Sequence, residues 1–438
     1  MKRLVTVAYF FPPTGGAGVQ RTVKFVRYLP EHGWSPAVVT VASSHYWMRD
    51  ESLAAEIPPS VPVVRTAAVT GPAVLGKLGR GGGGGQTNAR RSGRLQGLLR
   101  RIASWGTVPD PYVGWVPFAA RAARRLLGPG DVLLTTSSPD SAHLVGLRLA
   151  GRGIPWVADF RDPWTRRMSF APATGWHRRL HERLEGAVVR NADRIVVTAE
   201  ATGRDFLARY PFLDPGRVVW IPNGFDASDF PREAPPVSDR FTLLHLGQLN
   251  PERPVGPLLD VLEAFLRRRP EARENLAVEL IGPRYREDER EVERRGLGGT
   301  VRFLDSLPHR EATARLLRAR VLVLMEQESD RGGLILPGKV FEYLHADRPI
   351  LGLVPRGAAW DLIASLGAGA CALPSDPEAG SVALARFYDR YRAGESPRSG
   401  ADRSAVARFE RRRLAGRLAA LLDEVSLRPA SASPPPSR

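Results

Sequence analysis

The sequence predicts an α/β protein made of two successive units, each a parallel sheet with helices on both faces. Three observations predict it. Short continuous apolar runs alternate with longer amphipathic segments, the pattern of strands covered on both sides. The alternation runs through two cycles, separated by a polar, proline-rich stretch. The length of 438 residues suits two or three domains, and 43% hydrophobic against 25% charged residues supplies sizeable cores.

In order, LVTVAYF (4–10) reads as the first strand. With Lys2 and Arg3 ahead of it this run imitates a signal peptide, but Pro12 and Pro13 break it and no small-residue cleavage site follows. A helix is expected over 18–29, then the strand PAVVTVA (36–42). Residues 76–98 form a basic, glycine-rich insertion without an apolar stripe, expected to be flexible because little burial offsets its ordering entropy. Strands DVLLTTS (131–137), PWVADF (155–160), RIVVTA (194–199) and VVWIPNG (218–224) complete a first domain over 1–225. Residues 226–240, with Pro231, Pro235 and Pro236, read as an interdomain linker.

The second domain spans 241–400. It opens with FTLLHLGQL (241–249) and a helix over 258–269. AVELIG (277–282), VRFLD (301–305), VLVLME (321–326) and PILGLVP (349–355) follow as strands. Over 401–425 a last helix places Phe409, Leu414, Leu418, Leu421 and Leu422 near one face, so it must dock on something. Residues 426–438 read as a disordered tail.

Composition excludes some classes. A single cysteine, Cys371, rules out an intramolecular disulfide framework and a cysteine-rich zinc site, and is read as packing. Net charge is +17, and only Lys2, Lys24, Lys77 and Lys339 among the 63 basic residues are lysine. The arginine excess weakens inference from any one arginine, yet leaves a surface suited to polyanions. No apolar stretch reaches the ~18 residues of a membrane span. A cytoplasmic enzyme is expected, with peripheral contact at the inner face of the membrane left open.

Four segments could carry chemistry. In FFPPTGGAGVQR (10–21), Gly15, Gly16 and Gly18 precede a helix whose free N–H groups suit a negative charge, with Gln20 and Arg21 nearby. A tight turn without a ligand is the alternative. Asp159, Arg161, Asp162 and Trp164 follow the strand at 155–160, where open α/β sheets bind ligands. Carboxylates there accept from hydroxyls and an indole covers a sugar face; the other reading is an Asp–Arg pair fixing a loop and Trp164 plugging the core. After the strand at 241–249 come Gln248 and Arg253, the latter able to clamp a phosphate or simply face solvent. In RGGLILPGKVFEYL (331–344), Gly332, Gly333 and Leu334 lead into a helix with Lys339 and Glu342 on neighbouring turns, suiting a diphosphate and a ribose, or forming a surface pair. His177, His181 and Glu185 share helical spacing, but the segment reads as an ordinary amphipathic helix, not a metal site. His143 reads as packed.

These motifs cohere. YFFPPTGGAGVQR, DFRDPW, LEGAVVRNADRIVVTAE, VVWIPNGFD, LLHLGQLNPERP and PGKVFEYLHADRPILGLVP together resemble the family-4 retaining glycosyltransferases, over residues 1 to about 424. The resemblance implies the GT-B fold: two Rossmann-like α/β/α domains facing a central cleft, with the last helix crossing back to the N-terminal domain. It implies a nucleoside diphosphate sugar on the second domain and an acceptor hydroxyl from the first. The family usually places an arginine and a lysine where this chain has Gln248 and Arg253. The second of the family's paired glutamates resembles Glu342, on the donor ribose, whereas the first position holds Leu334.

The expected function is therefore transfer of a sugar to an acceptor hydroxyl, with the anomeric configuration retained, in surface polysaccharide or glycolipid synthesis. Gly16, Asp162 and Lys339 are expected at the reaction centre; Gly15, Gly18, Gln20, Asp159, Arg161 and Trp164 on the acceptor or sugar side; Arg253, Gln248, Gly332, Gly333, Leu334 and Lys339 on the diphosphate. No metal or other cofactor is required, and family frequency favours a uridine nucleotide. Basic patches at 90–101 and 178–183 suit an anionic membrane as well as a soluble acceptor. The competing readings are a nucleotide-sugar epimerase of similar architecture and, from another class, a basic nucleic-acid-binding protein; the dispersed arginines and lack of recognition spacings disfavour the latter.

Overall fold

The computed structural model describes residues 2–15, 17–42, 51–69 and 107–427. Gly16, the insertion expected at 76–98, the basic patch at 90–101 and the tail from 428 lie outside the described residues. The chain divides into two compact units, Met1–Ile221 joined by Leu414–Arg438, and Pro222–Arg413.

The first unit holds seven parallel strands: β1 (Lys2–Val7), β2 (Trp34–Val41), β3 (Val63–Thr66), β4 (Val132–Thr136), β5 (Trp156–Phe160), β6 (Arg194–Val197) and β7 (Val218–Trp220). Their spatial order is β3-β2-β1-β4-β5-β6-β7. β1 pairs with β2 from Lys2↔Trp34 and with β4 from Leu4↔Val132. The order reverses between β1 and β4, and there the carboxyl ends of the strands open a crevice. One face buries Val5, Val7, Leu133, Ala158 and Ile195 against Trp115 and Trp156; the other buries Leu4, Val132, Val157 and Val196.

The second unit holds six parallel strands: β8 (Phe241–Leu246), β9 (Leu276–Ile281), β10 (Val301–Leu304), β11 (Val321–Met325), β12 (Ile350–Leu353) and β13 (Gly369–Ala372), in the order β10-β9-β8-β11-β12-β13. Its switch point lies between β8 and β11. Two sheets of this topology, each flanked by helices, constitute the two-unit α/β architecture that the alternating runs predict. β3 and β13 have no counterpart in the sequence reading. Each is four residues long at a sheet edge and only partly buried, so neither presents an apolar run.

Residues 226–240 do not stand apart as a linker. They lie in the second unit, where Asp229 carbonyl oxygen accepts from Thr313 at 2.8 Å and Ser238 accepts from Thr242 at 2.8 Å. Prolines there mark an extended segment that packs, and the division falls between Ile221 and Pro222. The final helix likewise begins later than expected, at Arg411–Ser426. From Leu414 it belongs to the first unit, where Leu414, Leu418, Leu421 and Leu422 pack on Leu4, Phe25, Tyr28 and Trp34. Phe409 instead packs on Phe341, within the second unit. Among the described residues no helix is long and apolar enough to cross a membrane. Cys371 is half-buried in β13, its thiol pushed up to about 12 by burial.

Candidate functional site

In the second unit, the loops after β8 and β11 converge at the switch point. β8 is followed by Gly247, which Gly282 approaches so closely that a Cβ at Gly282 would lie 2.4 Å from the Gly247 carbonyl oxygen; the φ of +137° at Gly282 also favours glycine. Asn250 then organises the loop, its side-chain oxygen accepting from the backbone N–H groups of Glu252 at 2.9 Å and Arg253 at 3.0 Å. This aims Arg253 at the end of β11, where its Nε donates to Glu326 Oε1 at 2.8 Å. Glu326 is 6% exposed, so the guanidinium is held at its inner edge and presents its outer nitrogens.

Lys339 opens the helix Lys339–Ala346, docked on β8 by Leu246 N–H donating to the Tyr343 hydroxyl at 2.9 Å. Its stem passes over Gly247, where a Cβ would lie in van der Waals contact with Lys339 Cε at 3.5 Å. The half-buried ammonium has neither a hydrogen bond nor an ion pair among the described residues. Desolvation pushes its pKa down, the Glu342 carboxylate opposes this, and Arg253 adds to it. Arg253 is paired with Glu326, whereas the Lys339 ammonium keeps its N–H donors unbonded among the described residues, where a diphosphate oxygen could take them. Glu342 is half-buried on the same helix, its carboxylate free to accept from hydroxyls.

The glycine turn plays another part. Gly332 N–H donates to Ser329 at 3.0 Å and Leu334 N–H to the Arg331 carbonyl at 3.2 Å, so these donors are already engaged in their own turn. Gly333 abuts the 355–357 loop, where a Cβ would lie 2.3 Å from Arg356 carbonyl oxygen. Of the backbone donors expected to cradle a phosphate at 332–334, those of Gly332 and Leu334 are thus already bonded within the turn. Gln248 is exposed beside the site.

In the first unit the structure reassigns most of the sugar-side residues. Asp159 is 2% exposed and takes Arg21 at 2.9 and 3.1 Å and Thr136 at 2.9 Å, a buried strut with no capacity for a sugar. Trp164 is wholly buried, its indole N–H donating to His181 Nδ1 at 3.0 Å. Arg161 donates to the carbonyls of Gly18, Ser137 and Ser138, pinning the first turn of the helix Ala17–Tyr28 to the loop after β4; a Cβ on Gly18 would sit 2.5 Å from its guanidinium. Gly15 is buried and Gln20 half-buried, while Asp162 is a half-buried acid beside this clamp. Glu185 is wholly buried and accepts from Thr165, Arg209 and Tyr210. His143 is also wholly buried, bonded to Thr135 at 2.8 Å and stacked near Phe160, and burial lowers its pKa to about 3. Sequence reasoning missed Glu326 as the brace of Arg253, and His245 altogether; a lone histidine inside an apolar strand gave the only signal.

Residues 14–229 match the model of Glycosyltransferase Family 4. The chain is a GT-B glycosyltransferase related to family 4. Its fold is shared with sucrose-phosphate synthase from Thermosynechococcus elongatus, at 16% identity over 97% of this chain and 99% of that one, with a TM-score of 0.66. Anabaena Alr3699/HepE, solved in complex with UDP, matches at 15% identity over 97% and 100% of the chains with a TM-score of 0.61. WaaG, a glycosyltransferase involved in lipopolysaccharide biosynthesis, matches at 14% over 96% and 99% with a TM-score of 0.57. Among curated proteins none matches the sequence.

Proposed function

We propose that this glycosyltransferase moves a sugar from a nucleoside diphosphate sugar, bound by its second unit, to an acceptor hydroxyl, with retention of configuration. The observation that carries the reading is the convergence of Arg253 and Lys339 at the β8/β11 switch point, Lys339 without a hydrogen-bond partner among the described residues, with Glu342 one turn along the helix. Both cations face charge that grows on the leaving diphosphate, so they stabilise the transition state more than the bound donor. Glu342 accepts from the ribose hydroxyls. The bond from the anomeric carbon to phosphate breaks, that to the acceptor oxygen forms on the same face, and the acceptor proton passes to a phosphate oxygen. Gly16 and Asp162 serve the acceptor side, Asp162 orienting a hydroxyl. UDP is the favoured nucleotide, supported by the UDP complex of the Anabaena relative.

The proposed setting is surface polysaccharide or glycolipid synthesis at the cytoplasmic face of the membrane, supported by the likeness to WaaG. The helix Gly175–Asn191 supports it too. Trp176 is 64% exposed, and Arg179, Arg183 and Arg190 follow it on the same exposed face, a pattern suited to anionic headgroups. Sedimentation with anionic but not neutral vesicles, weakened by salt, is expected.

A thermal-shift screen of nucleotide sugars should first find the donor. Turnover must then require an acceptor; isomerisation of the donor alone marks an epimerase instead. Lys339→Ala should lower kcat/KM by at least roughly tenfold, about 1.4 kcal/mol. Unchanged kinetics in this variant would reject the diphosphate role.

A further inference from the structure

His245 lies on β8, 2% exposed, with its ring turned towards β11. Its Nδ1 is 2.9 Å from the Val323 carbonyl oxygen, which can only accept, so Nδ1 carries the proton. Burial, with Lys339 and Arg253 close by, lowers its pKa to about 4, and the ring is neutral at physiological pH. Nε2 consequently holds a lone pair, and that buried atom meets no hydrogen-bond donor among the described residues. Leaving such a buried acceptor unmatched is unfavourable, because its lone pair has lost water and gained nothing in return. A Cβ on Gly247 would lie 3.0 Å from Nε2 and 3.5 Å from Lys339 Cε, so the imidazole edge and the lysine stem border the same small space. The lysine brings three donors and no acceptor of its own, the complement of the orphaned nitrogen.

We propose that His245 is a positioning residue, its Nε2 accepting a hydrogen bond from the Lys339 ammonium and thereby holding that charge towards the donor diphosphate. The role rests on the reading of Lys339 as a diphosphate ligand. Both groups border the space above Gly247, and an ammonium that gives one N–H to the lone pair keeps two donors for phosphate oxygens. The other groups facing this pair are Glu342 on the lysine's own helix, Arg253 from the loop after β8, Glu326 at the end of β11 and the Tyr343 hydroxyl. Glu326 is engaged with Arg253, and the Tyr343 hydroxyl accepts from Leu246 N–H. A hydrogen bond to the charged form of lysine favours that form, so His245 offsets part of the desolvation acting on Lys339.

Two substitutions separate the two edges of the ring. His245→Gln keeps an acceptor near the Nε2 position, whereas His245→Asn keeps only the edge towards Val323. The readout is the pH dependence of Lys339 acetylation by trace acetic anhydride in the full chain, followed by mass spectrometry and without any nucleotide. His245→Asn is expected to move the labelling midpoint of Lys339 down by about one pH unit. His245→Gln should restore most of the shift, and UDP affinity should follow the same order. Asn labelling like wild type, or Gln doing no better than Asn, overturns the proposal. Kinetics of Lys339→Ala decide the diphosphate reading separately, so either idea can fail while the other stands.

Discussion

Trp164 and Asp159 have the residue types of a sugar site and the surroundings of a core. An indole that is wholly buried and bonded to His181 has no face to offer a ligand. Trp164→Ala should therefore cost about 3–5 kcal/mol in urea denaturation of the first unit, while UDP affinity at the second unit is unchanged. A large loss of sugar affinity without loss of stability would restore the platform role. Asp159→Ala strands the buried Arg21 guanidinium and should likewise destabilise, by about 3–5 kcal/mol. Lys339, Arg253 and Glu342 were legible because charged groups next to glycine turns and strand ends are visible in one dimension. The brace of Arg253 was not, since Glu326 stands 73 positions away and is joined only by the pairing of β8 with β11.

At the scale of elements, long buried strands and amphipathic helices announce themselves through burial, whereas short edge strands do not. The last helix shows the limit of periodicity. Its apolar spacing identified a docking face, but the same spacing enrolled Phe409, which packs on Phe341 in the other unit. Leu418, 1% exposed, fills the face against the first sheet. Leu418→Ala should cost about 2–5 kcal/mol and lower the melting transition of the first unit, leaving the second unit's nucleotide-linked stabilisation intact. A single shift of both transitions together would show that the helix couples the two units energetically.

The whole molecule repeats one device: a parallel sheet whose strand order reverses, with loops gathered at the carboxyl ends of its strands. Each sheet also buries a neutral histidine, His143 in the first and His245 in the second, with pKa values lowered to about 3 and about 4. Both favour the folded state fully above the ordinary histidine pKa of 6.5. As pH falls through that value the unfolded chain takes up protons first, so each of these histidines withdraws up to about 1.4 kcal/mol per pH unit until its folded pKa is reached, while in the first unit Asp140, its carboxyl pushed up to about 7 by burial, acts in the opposite sense. Chemical denaturation between pH 7.5 and 5 should therefore show His143→Gln gaining stability relative to the parent as pH falls. The sequence by itself determined the two-cycle α/β plan and most of the strands, and it pointed to Arg253, Lys339 and Glu342 as charged groups near strand ends, because burial periodicity and residue chemistry are written locally. Only the tertiary structure decided which polar groups were already engaged. Asp159, Arg161 and Trp164 proved to be occupied by partners from other strands and loops, while Lys339 and His245 were left with capacity to spare, and that distinction depends on contacts between positions far apart in the chain.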